Sequence, residues 1–392
     1  MSGPLAGIRV IEFAGLGPAP FCAMMLSDMG ANVVRIDRPV PTGHDETRPR
    51  SGMTAMTEGI LCRGRRSIAL DLKSPDGVET ALGMIANADA LIEGFRPGVM
   101  ERLGLGPEPC LQRNRRLVYG RLTGWGQDGP CAMTAGHDLN YIALAGALAP
   151  LGRRALPPAP PLNLVGDFGG GGMLMAFGLL AALIESGRSG QGQVVDAAII
   201  DGAAYQMTMM YELLGRGFWV EERESNPNDG GSHFYEVYET ADGEYVAIAA
   251  MEPKFYAELL QRIGLAAADL PEQWDRAGWP AASRRLAEVF RGRTRDEWCR
   301  LLEGTDACFT PVLRMSEAPE HPHNVERDAY LTVDGVVQPA PAPRFSRTPG
   351  GVVRGASRAG EHSEEILAEF GFTKERITEL LASGVVHGVG DR

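Results

Sequence analysis

The N-terminal half of the chain alternates between short apolar runs and amphipathic segments. Ile8 to Phe13 and Asn32 to Ile36 are apolar runs rich in β-branched residues, and a helical pattern from Ala19 to Asp28 lies between them. Similar apolar runs recur over residues 67–72, 90–95, 117–122 and 193–197. Strands that alternate with helices are typical of a parallel sheet. The pattern therefore predicts an α/β fold.

The pattern changes after a polar, Gly- and Asn-rich stretch from Glu221 to Gly231. Residues 235–240 and 244–250 are strand-like runs on either side of Ala241-Asp242-Gly243, and they predict a β-hairpin. Helical segments then extend to Glu303, and a further strand is predicted over residues 308–313. Together these elements predict a second, smaller α+β domain.

Composition narrows the choice of partner and compartment. The 392 residues carry a net charge of -12, which argues against nucleic acid and anionic membranes because both attract basic surfaces. The six cysteines include no Cys-x-x-Cys pair, so no metal site is predicted. The apolar run from Met173 to Ile184 is too short to span a bilayer, and the N-terminus lacks the pattern of a secretion signal. We therefore expect a cytoplasmic protein without membrane insertion.

The segment from Pro161 to Met175 carries one carboxylate, Asp167, shortly before four consecutive glycines. Because an apolar helical run follows from Met173, Asp167 is predicted to lie at or just before a helix N-terminus. Free N–H groups at such an end can bind an anion, and glycines let another group approach the main chain. Alternatively, Asp167 only caps the helix and the glycines only allow close packing. Four glycines weaken a helix start, which favours the functional interpretation.

The first βαβ unit is similar to a dinucleotide-binding fingerprint. Gly15 and Gly17 follow the first strand, and Asp37 lies at the end of the second. However, Pro20 occupies the position of the third glycine, and Pro18 and Pro20 remove two N–H groups that a pyrophosphate would need. The sequence therefore does not favour an NAD site.

Basic residues follow three successive predicted strands, namely Arg38, Lys73 and Arg96. The carboxyl ends of parallel strands meet at one edge of a sheet, so these cations would suit a ligand that carries several phosphates. Solvated surface charge explains the same three residues equally well. Solvated surface charge is also the expectation for three arginines that precede the third strand, Arg63, Arg65 and Arg66.

His137 lies at a predicted loop-to-helix junction, with Asp138 as the helix cap. A histidine at such a junction is more often structural than catalytic. An unperturbed imidazole titrates near neutrality, so a catalytic role becomes plausible if a second titratable group faces it.

Motifs spread along the chain give it a specific resemblance to a known family. They are Val34-Arg35-Ile36-Asp37-Arg38-Pro39, Leu70-Asp71-Leu72-Lys73, Arg96-Pro97-Gly98-Val99, Gly136 to Tyr141, Leu162 to Gly171, Gly190 to Asp196, Asp229-Gly230-Gly231, Glu252-Pro253-x-Phe255-Tyr256, Thr305-Asp306-Ala307-Cys308 and Gly360-Glu361-His362. Over essentially its whole length the chain resembles the family III CoA transferases, and within them the racemases of 2-methylacyl-CoA thioesters.

The resemblance implies a fold in detail. A Rossmann-like parallel-sheet large domain would be built from both chain ends, with a smaller α+β domain inserted through long linkers and two chains interlocked as a homodimer. The expected boundaries are 1–198 for the N-terminal part of the large domain, 199–234 for a linker helix and loop, 235–330 for the small domain, and 331–392 for the return linker and the C-terminal part of the large domain.

The resemblance also implies the site. His137 and Asp167 would be the acid/base pair, and Glu252 of the partner subunit would support His137. The CoA thioester is part of the substrate, so no separate cofactor is expected. The residues that would hold it are Arg38, Leu70, Asp71, Leu72, Lys73, Arg96, Gly136, Asp138, Leu139, Asn140 and Tyr141.

The expected function is racemisation of 2-methylacyl-CoA through an enolate, with one base on each side of the α-carbon. A dry pocket would have to raise the pKa of Asp167, and the N–H groups after Asp167 would stabilise the enolate oxygen. The main alternative is CoA transfer between carboxylic acids, in which Asp167 attacks the thioester and becomes a mixed anhydride. A third possibility is a protein that binds CoA without turnover.

Two segments depart from the racemase pattern. Residues 40–61 form a longer loop than expected, and Asn226-Pro227-Asn228 replaces the Asn-Met-Leu expected before Asp-Gly-Gly. These departures bear on the shape of the ligand-binding edge and of the acyl side. Neither includes His137 or Asp167.

Overall fold

The computed structural model describes residues 3–39 and 59–388, so most of the predicted loop over residues 40–61 lies outside the described residues. The chain forms two compact units. The larger contains the residues up to Ala145, Leu162–Gln206 and the residues from Asp328, and the smaller contains Gly146–Pro161 and Met207–Arg327. These units differ from the expected domains in four places. Residues 146–161 belong to the smaller unit, and the expected linker is divided, with residues 199–206 in the larger unit and residues 207–234 in the smaller one. Residues 328–330 belong to the larger unit.

The strands follow the predicted apolar runs closely. In chain order they are β1 (Arg9–Phe13), β2 (Asn32–Asp37), β3 (Arg66–Leu70), β4 (Ala90–Glu93), β5 (Val118–Thr123), β6 (Gln193–Ala198), β7 (Tyr235–Glu239), β8 (Tyr245–Ala249), β9 (Phe309–Pro311), β10 (Tyr330–Val333), β11 (Val336–Pro339) and β12 (Val386–His387).

The helices are, in chain order, α1 (Pro18–Asp28), α2 (Pro75–Ile85), α3 (Val99–Arg102), α4 (Pro107–Arg113), α5 (Asp138–Leu144), α6 (Leu174–Ser189), α7 (Ile199–Gln206), α8 (Thr208–Gly215), α9 (Pro253–Ile263), α10 (Trp279–Phe290), α11 (Arg295–Leu302), α12 (Pro322–Glu326), α13 (Ser363–Glu369) and α14 (Lys374–Ala382). A π-helix over Leu164–Met173 runs directly into α6. The single helix predicted from Ile199 to Leu214 is divided at Met207 into α7 and α8.

Seven described strands of the larger unit form one sheet in the order β12-β3-β2-β1-β4-β5-β6. Neighbouring strands are parallel except β12, which pairs antiparallel with β3. This confirms the predicted α/β class. The direction of chain order reverses between β1 and β4, and open α/β sheets bind ligands beyond the carboxyl ends of the strands at such a switch point.

The smaller unit is built on the antiparallel sheet β7-β8-β9. The β7–β8 hairpin has the predicted Ala241-Asp242-Gly243 turn, and Gly243 adopts a φ of 74° there. The aromatic residues Phe234, Trp279 and Phe290 are buried in the core of this unit.

Alternate residues of β1 supply the two cores of the larger unit. Ile11 and Phe13 face one core, which contains residues of α2, α13 and α14. Val10 faces the other core, which contains residues of α1 and α6. Because successive side chains of a strand point to opposite faces, the sheet is covered on both sides.

The prediction of solvated surface charge for Arg63, Arg65 and Arg66 is wrong. Arg65 is fully buried, and its Nε donates to a carboxylate oxygen of Glu12 at 3.0 Å. Arg63 pairs with Asp28 at 2.6 Å, and Arg66 donates to two glutamates of α13. The acidic partners come from distant segments of the chain, so the local charge pattern could not reveal them.

The prediction that a helix begins near Met173, after the glycines, is also wrong. The π-helix and α6 form one continuous helix, Leu164–Ser189, of 26 residues, and its most apolar 18-residue stretch has a mean hydropathy of 1.6. By length and composition alone it could cross a membrane, which is weak evidence because core helices pass the same test. Its buried residues Met175, Leu179 and Ala182 belong to the core that covers the sheet.

Candidate active site

Asp167 lies at the carboxyl edge of the sheet, beside the turn that follows β1. Gly17 in this turn has a φ of 67°, a conformation that favours glycine. A Cβ atom on Gly17 would lie 3.5 Å from Oδ2 of Asp167. The carboxyl group is therefore next to the switch point of the sheet.

The main-chain N–H groups around Asp167 already have acceptors. The N–H of Asp167 donates to Oδ2 of Asp138 at 2.6 Å, and the N–H of Phe168 donates to the carbonyl of Asn163 at 3.2 Å. The expectation that N–H groups after Asp167 stabilise an oxyanion is therefore wrong. The helix begins before Asp167, at Leu164, and the four glycines lie inside it.

The side chain of Asp167 is partly buried, and burial is the main reason why its pKa is raised above the ordinary aspartate value. The carboxylate of Asp138 raises this pKa further. The Asn163 amide, which donates to Oδ2 at 3.4 Å, and the His137 imidazole both lower it. Asp167 therefore holds a proton more readily than an exposed aspartate does.

His137 is the N-cap residue of α5, and its side chain is exposed. Its N–H donates to Oδ1 of Asn140 at 3.1 Å. The predicted cap is displaced by one residue, because Asp138 is the first residue inside the helix. The next residue, Asp138, accepts the N–H of Asp167 at 2.6 Å, so the structure brings the segments of the two predicted residues together. The charge of the imidazole lowers the pKa of the Asp167 carboxyl group.

Two aromatic rings support the main chain just before His137. The hydroxyl of Tyr141 donates to the carbonyl of Gly136, and the ring of Trp125 packs edge-to-face on Tyr141 with centroids 4.7 Å apart. A Cβ atom on Gly124 would lie 2.1 Å from the Tyr141 ring, so only glycine allows this approach. The contacts fix the position from which His137 projects.

A cavity of about 220 Å³ lies beyond the ends of β4 and β5, and Arg96, Trp125, His137 and Tyr141 line it. Asp167 is not among its lining residues. However, burial and the charge of Asp167 raise the pKa of Tyr141, while the Arg96 guanidinium lowers it. The charges of Arg96 and Asp167 therefore both act on Tyr141 in the lining of the cavity.

Three basic residues expected to hold CoA follow β2, β3 and β4. Arg38, Lys73 and Arg96 are exposed, and none forms an ion pair with another described residue. Lys73 and Arg102 line an open cavity of about 490 Å³. The side chain of Leu70 is buried in the core, so only its main chain is available to a ligand.

The remaining residues expected to hold CoA differ in their exposure and in their hydrogen bonds. Leu139 and Asn140 are exposed, and Asp71 accepts the N–H of Lys73 at 3.0 Å. Asp138 is only 6% exposed. Its carboxylate therefore faces the protein interior, and sequence reasoning missed its bond to Asp167 because no local pattern indicates it.

Glu252 belongs to the smaller unit, where it is the exposed N-cap residue of α9. After burial, the charge of Glu252 is the next cause of the raised pKa of the Cys308 thiol. Its support of His137 from a partner subunit stays a prediction. Within residues 3–39 and 59–388, no cluster of three His, Cys, Asp or Glu residues could hold a metal ion.

Comparison with known proteins identifies the family of this chain. The model of CoA-transferase family III matches residues 5–363. Two proteins named Alpha-methylacyl-CoA racemase are similar over 97% of this chain and 97% of their own, at 47% identity in Mus musculus and 44% in Homo sapiens. A crystal structure of a CAIB/BAIF family protein from Brucella suis has a TM-score of 0.79 at 25% identity and covers 94% of this chain and 100% of its own. The chain therefore belongs to CoA-transferase family III.

Proposed function

We propose that this protein racemises 2-methylacyl-CoA thioesters. The relatives named Alpha-methylacyl-CoA racemase support this substrate and reaction. The observation that carries the proposal is the hydrogen bond from the N–H of Asp167 to Asp138, the residue after His137, which joins the segments of His137 and Asp167 at the edge of a sheet that is suited to ligand binding.

The reaction needs two proton carriers. One of them takes the proton from the α-carbon, and the electron pair of that C–H bond moves towards the thioester oxygen to form an enolate. The other carrier returns a proton to the opposite face of the carbon. A carboxyl group with a raised pKa is suited to both tasks, because it is a stronger base when ionised and stays protonated to higher pH.

Isotope exchange tests the proposal directly. The protein is incubated with a single enantiomer of a 2-methylacyl-CoA in deuterated water, without any free carboxylic acid. We expect deuterium to enter at the α-carbon while the stereochemistry is lost. A product without deuterium and with its configuration retained would contradict the proposal.

CoA transfer is the second candidate, because the family includes transferases and Asp167 could act as a nucleophile. In that reaction the Asp167 carboxylate attacks the thioester carbonyl and CoA leaves as the thiolate, which gives a mixed anhydride. The thiolate then attacks the Asp167 carbonyl, so that the donor acid is released and an Asp167–CoA thioester remains. The carboxylate of the second acid attacks this thioester, and the displaced thiolate attacks the acyl carbonyl of the new anhydride, which frees Asp167 and forms the new CoA ester. Adding a second carboxylic acid and analysing the CoA esters distinguishes the reactions. Movement of CoA to that acid without α-deuteration indicates a transferase, and binding without either change indicates a CoA-binding protein.

Single substitutions test whether His137 and Asp167 are the two proton carriers. We expect His137→Gln and Asp167→Asn to fold and to lose exchange, whereas the matched changes His323→Gln and Asp128→Asn, at exposed positions elsewhere, should retain it. Activity should fall at both pH extremes, because each direction needs one carrier protonated and the other ionised. Full exchange in His137→Gln or Asp167→Asn would remove that residue from the mechanism.

The proposal includes a cytoplasmic homodimer that needs no added cofactor and in which Glu252 of the partner subunit supports His137. Mixing two inactive variants tests the shared site. If Glu252 acts across the dimer, subunits with Glu252→Gln and subunits with His137→Gln should together regain part of the exchange, because each mixed dimer has one intact site. No recovery after subunits have been shown to mix would place Glu252 in its own chain's site or outside the mechanism.

A further inference from the structure

Asp138 is buried although it opens a helix at the ligand-binding edge. It is 6% exposed, and Oδ2 accepts the N–H of Asp167 at 2.6 Å. Asp138 is also the residue directly after His137. One side chain thus connects the two segments that carry the proposed acid/base pair, although Asp138 and Asp167 are 29 residues apart in the sequence.

Gly166 provides the space for this contact. A Cβ atom on Gly166 would lie 2.4 Å from Oδ2 of Asp138 and 2.8 Å from its carboxyl carbon. Any larger residue would push the carboxylate away from the N–H of Asp167. The glycine before Asp167 is therefore explained by the approach of Asp138.

The second oxygen of the same carboxylate has a different environment. Oδ1 of Asp138 is buried and has no hydrogen-bond partner among the described residues. A carboxylate with only one oxygen hydrogen-bonded keeps much of its negative charge unscreened in a region of low dielectric constant.

We propose that Asp138 is a positioning residue for Asp167: it fixes the main chain of Asp167 relative to His137 and holds a negative charge beside the Asp167 carboxyl group. This inference rests on the proposed function of the site. The expectation that Asp138 is among the residues that hold CoA stays a prediction.

The charged groups around Asp167 determine the direction of the effect. Asp138 and His137 face it from α5 and its cap, and Tyr141 on α5 is influenced by Asp167 and by Arg96 after β4. Among them, Asp138 raises the pKa of Asp167 and His137 lowers it. Removing the charge of Asp138 should therefore lower the pKa of Asp167.

Two substitutions separate the charge from the hydrogen bond. Asp138→Asn removes the charge but keeps an oxygen that can accept the N–H of Asp167, and Asp138→Ala removes both. Asp128→Asn is the matched control, because it makes the same chemical change at an exposed position. Carboxyl-carbon NMR of the full chain, with the Asp167 signal assigned through Asp167→Asn, measures the pKa of Asp167 without substrate.

For Asp138→Asn we expect a lower pKa of Asp167, with the acid limb of the exchange profile moved to lower pH by about one unit and an unchanged KM. For Asp138→Ala we expect kcat to fall on the order of 10²-fold, because Asp167 loses its fixed position. If Asp138→Ala does not fold, Asp138→Asn alone decides the question.

The inference is wrong if Asp138→Asn leaves both the pKa of Asp167 and the acid limb where they are. It is also wrong if Asp138→Asn raises KM and leaves kcat unchanged, since Asp138 would then act on CoA. Absence of exchange in the unmodified protein contradicts the proposed function instead, and the NMR titration still tests Asp138.

Discussion

At the scale of single residues, the protein holds Asp167 in surroundings that disfavour its charge. Burial and Asp138 both raise its pKa, and no full salt bridge offsets them within the described part of the chain. A group whose pKa is higher in the folded state than in the unfolded state contributes its full stabilisation of the fold only when the pH is below its unfolded pKa. That stability is lost as the pH rises through the folded pKa.

Asp167→Asn should therefore raise the melting temperature near neutral pH while abolishing exchange. The ionised carboxylate destabilises the folded state above its folded pKa, and asparagine carries no charge. The gain should shrink as the pH falls towards the ordinary aspartate range. Thermal denaturation over a pH series measures it, with Asp128→Asn as the control; an equal gain at every pH would contradict a charge effect.

The ion pair between Arg65 and Glu12 is the most deeply buried one in the described residues, with both side chains fully buried. Arg65→Ala should lower the free energy of unfolding by about 3–5 kcal/mol, because it removes the hydrogen-bonded ion-pair partner of the buried Glu12 carboxylate. Arg113→Ala, which removes an exposed pair with Glu79, should cost about 1 kcal/mol or less. Denaturant unfolding gives both values, and equal losses would show that burial is not the cause.

At the scale of elements, the four glycines make the long helix fit its neighbours. A Cβ atom on Gly202 of α7 would lie 2.0 Å from the carbonyl oxygen of Gly170, and one on Gly172 would lie 2.8 Å from the carbonyl oxygen of Pro18. The π-helix therefore contacts α7 and α1 backbone to backbone. Close packing, the alternative considered for the glycines from the sequence, accounts for these two positions.

Gly202→Ala should lower the free energy of unfolding by about 1–3 kcal/mol, because the new methyl group forces α7 and the π-helix apart. Gly187→Ala in α6 is the matched control, since no atom lies within 4 Å of its added Cβ. Gly187→Ala should instead raise the free energy of unfolding by at most about 1 kcal/mol, because alanine has a higher helix propensity than glycine. Similar effects of the two substitutions would contradict the packing explanation.

The sequence predicted the elements better than their contacts. Apolar periodicity gave β1 to β6 and the β7–β8 hairpin within a few residues, because strand burial leaves a local pattern. It could not give the start of the helix at Leu164, since glycine propensities argue against a helix and only packing on α1 and α7 overrides them. Apolar periodicity also could not reveal that Asp138 binds the main chain of Asp167, because no local pattern indicates this hydrogen bond.

At the scale of the whole molecule, the long helix presents a second apolar face. Met173, Phe177 and Ile184 are exposed and lie on one side of it. Such a row on a helix that already covers the sheet suits contact with another apolar surface. We propose that in the homodimer a second copy of the chain provides this surface.

Light scattering should therefore give twice the chain mass of 42.1 kDa. Phe177→Asp, which puts a charge at a position that is 72% exposed, should reduce the measured mass to that of the monomer and lower the exchange rate. Ser189→Asp at the end of the same helix serves as the control. A monomeric unmodified protein would remove the dimer from the proposal.

The pairing of β12 with β3 has a consequence for how the protein is made. Helices α13 and α14 and strand β12 complete the core that lies against β1, β2 and β3, yet they come last in the chain. A ribosome releases all residues of the smaller unit before it has made these elements, and partly folded chains with uncovered apolar surface aggregate readily. A message with a premature stop codon shortly before residue 363 would therefore yield a chaperone client rather than a partly active enzyme.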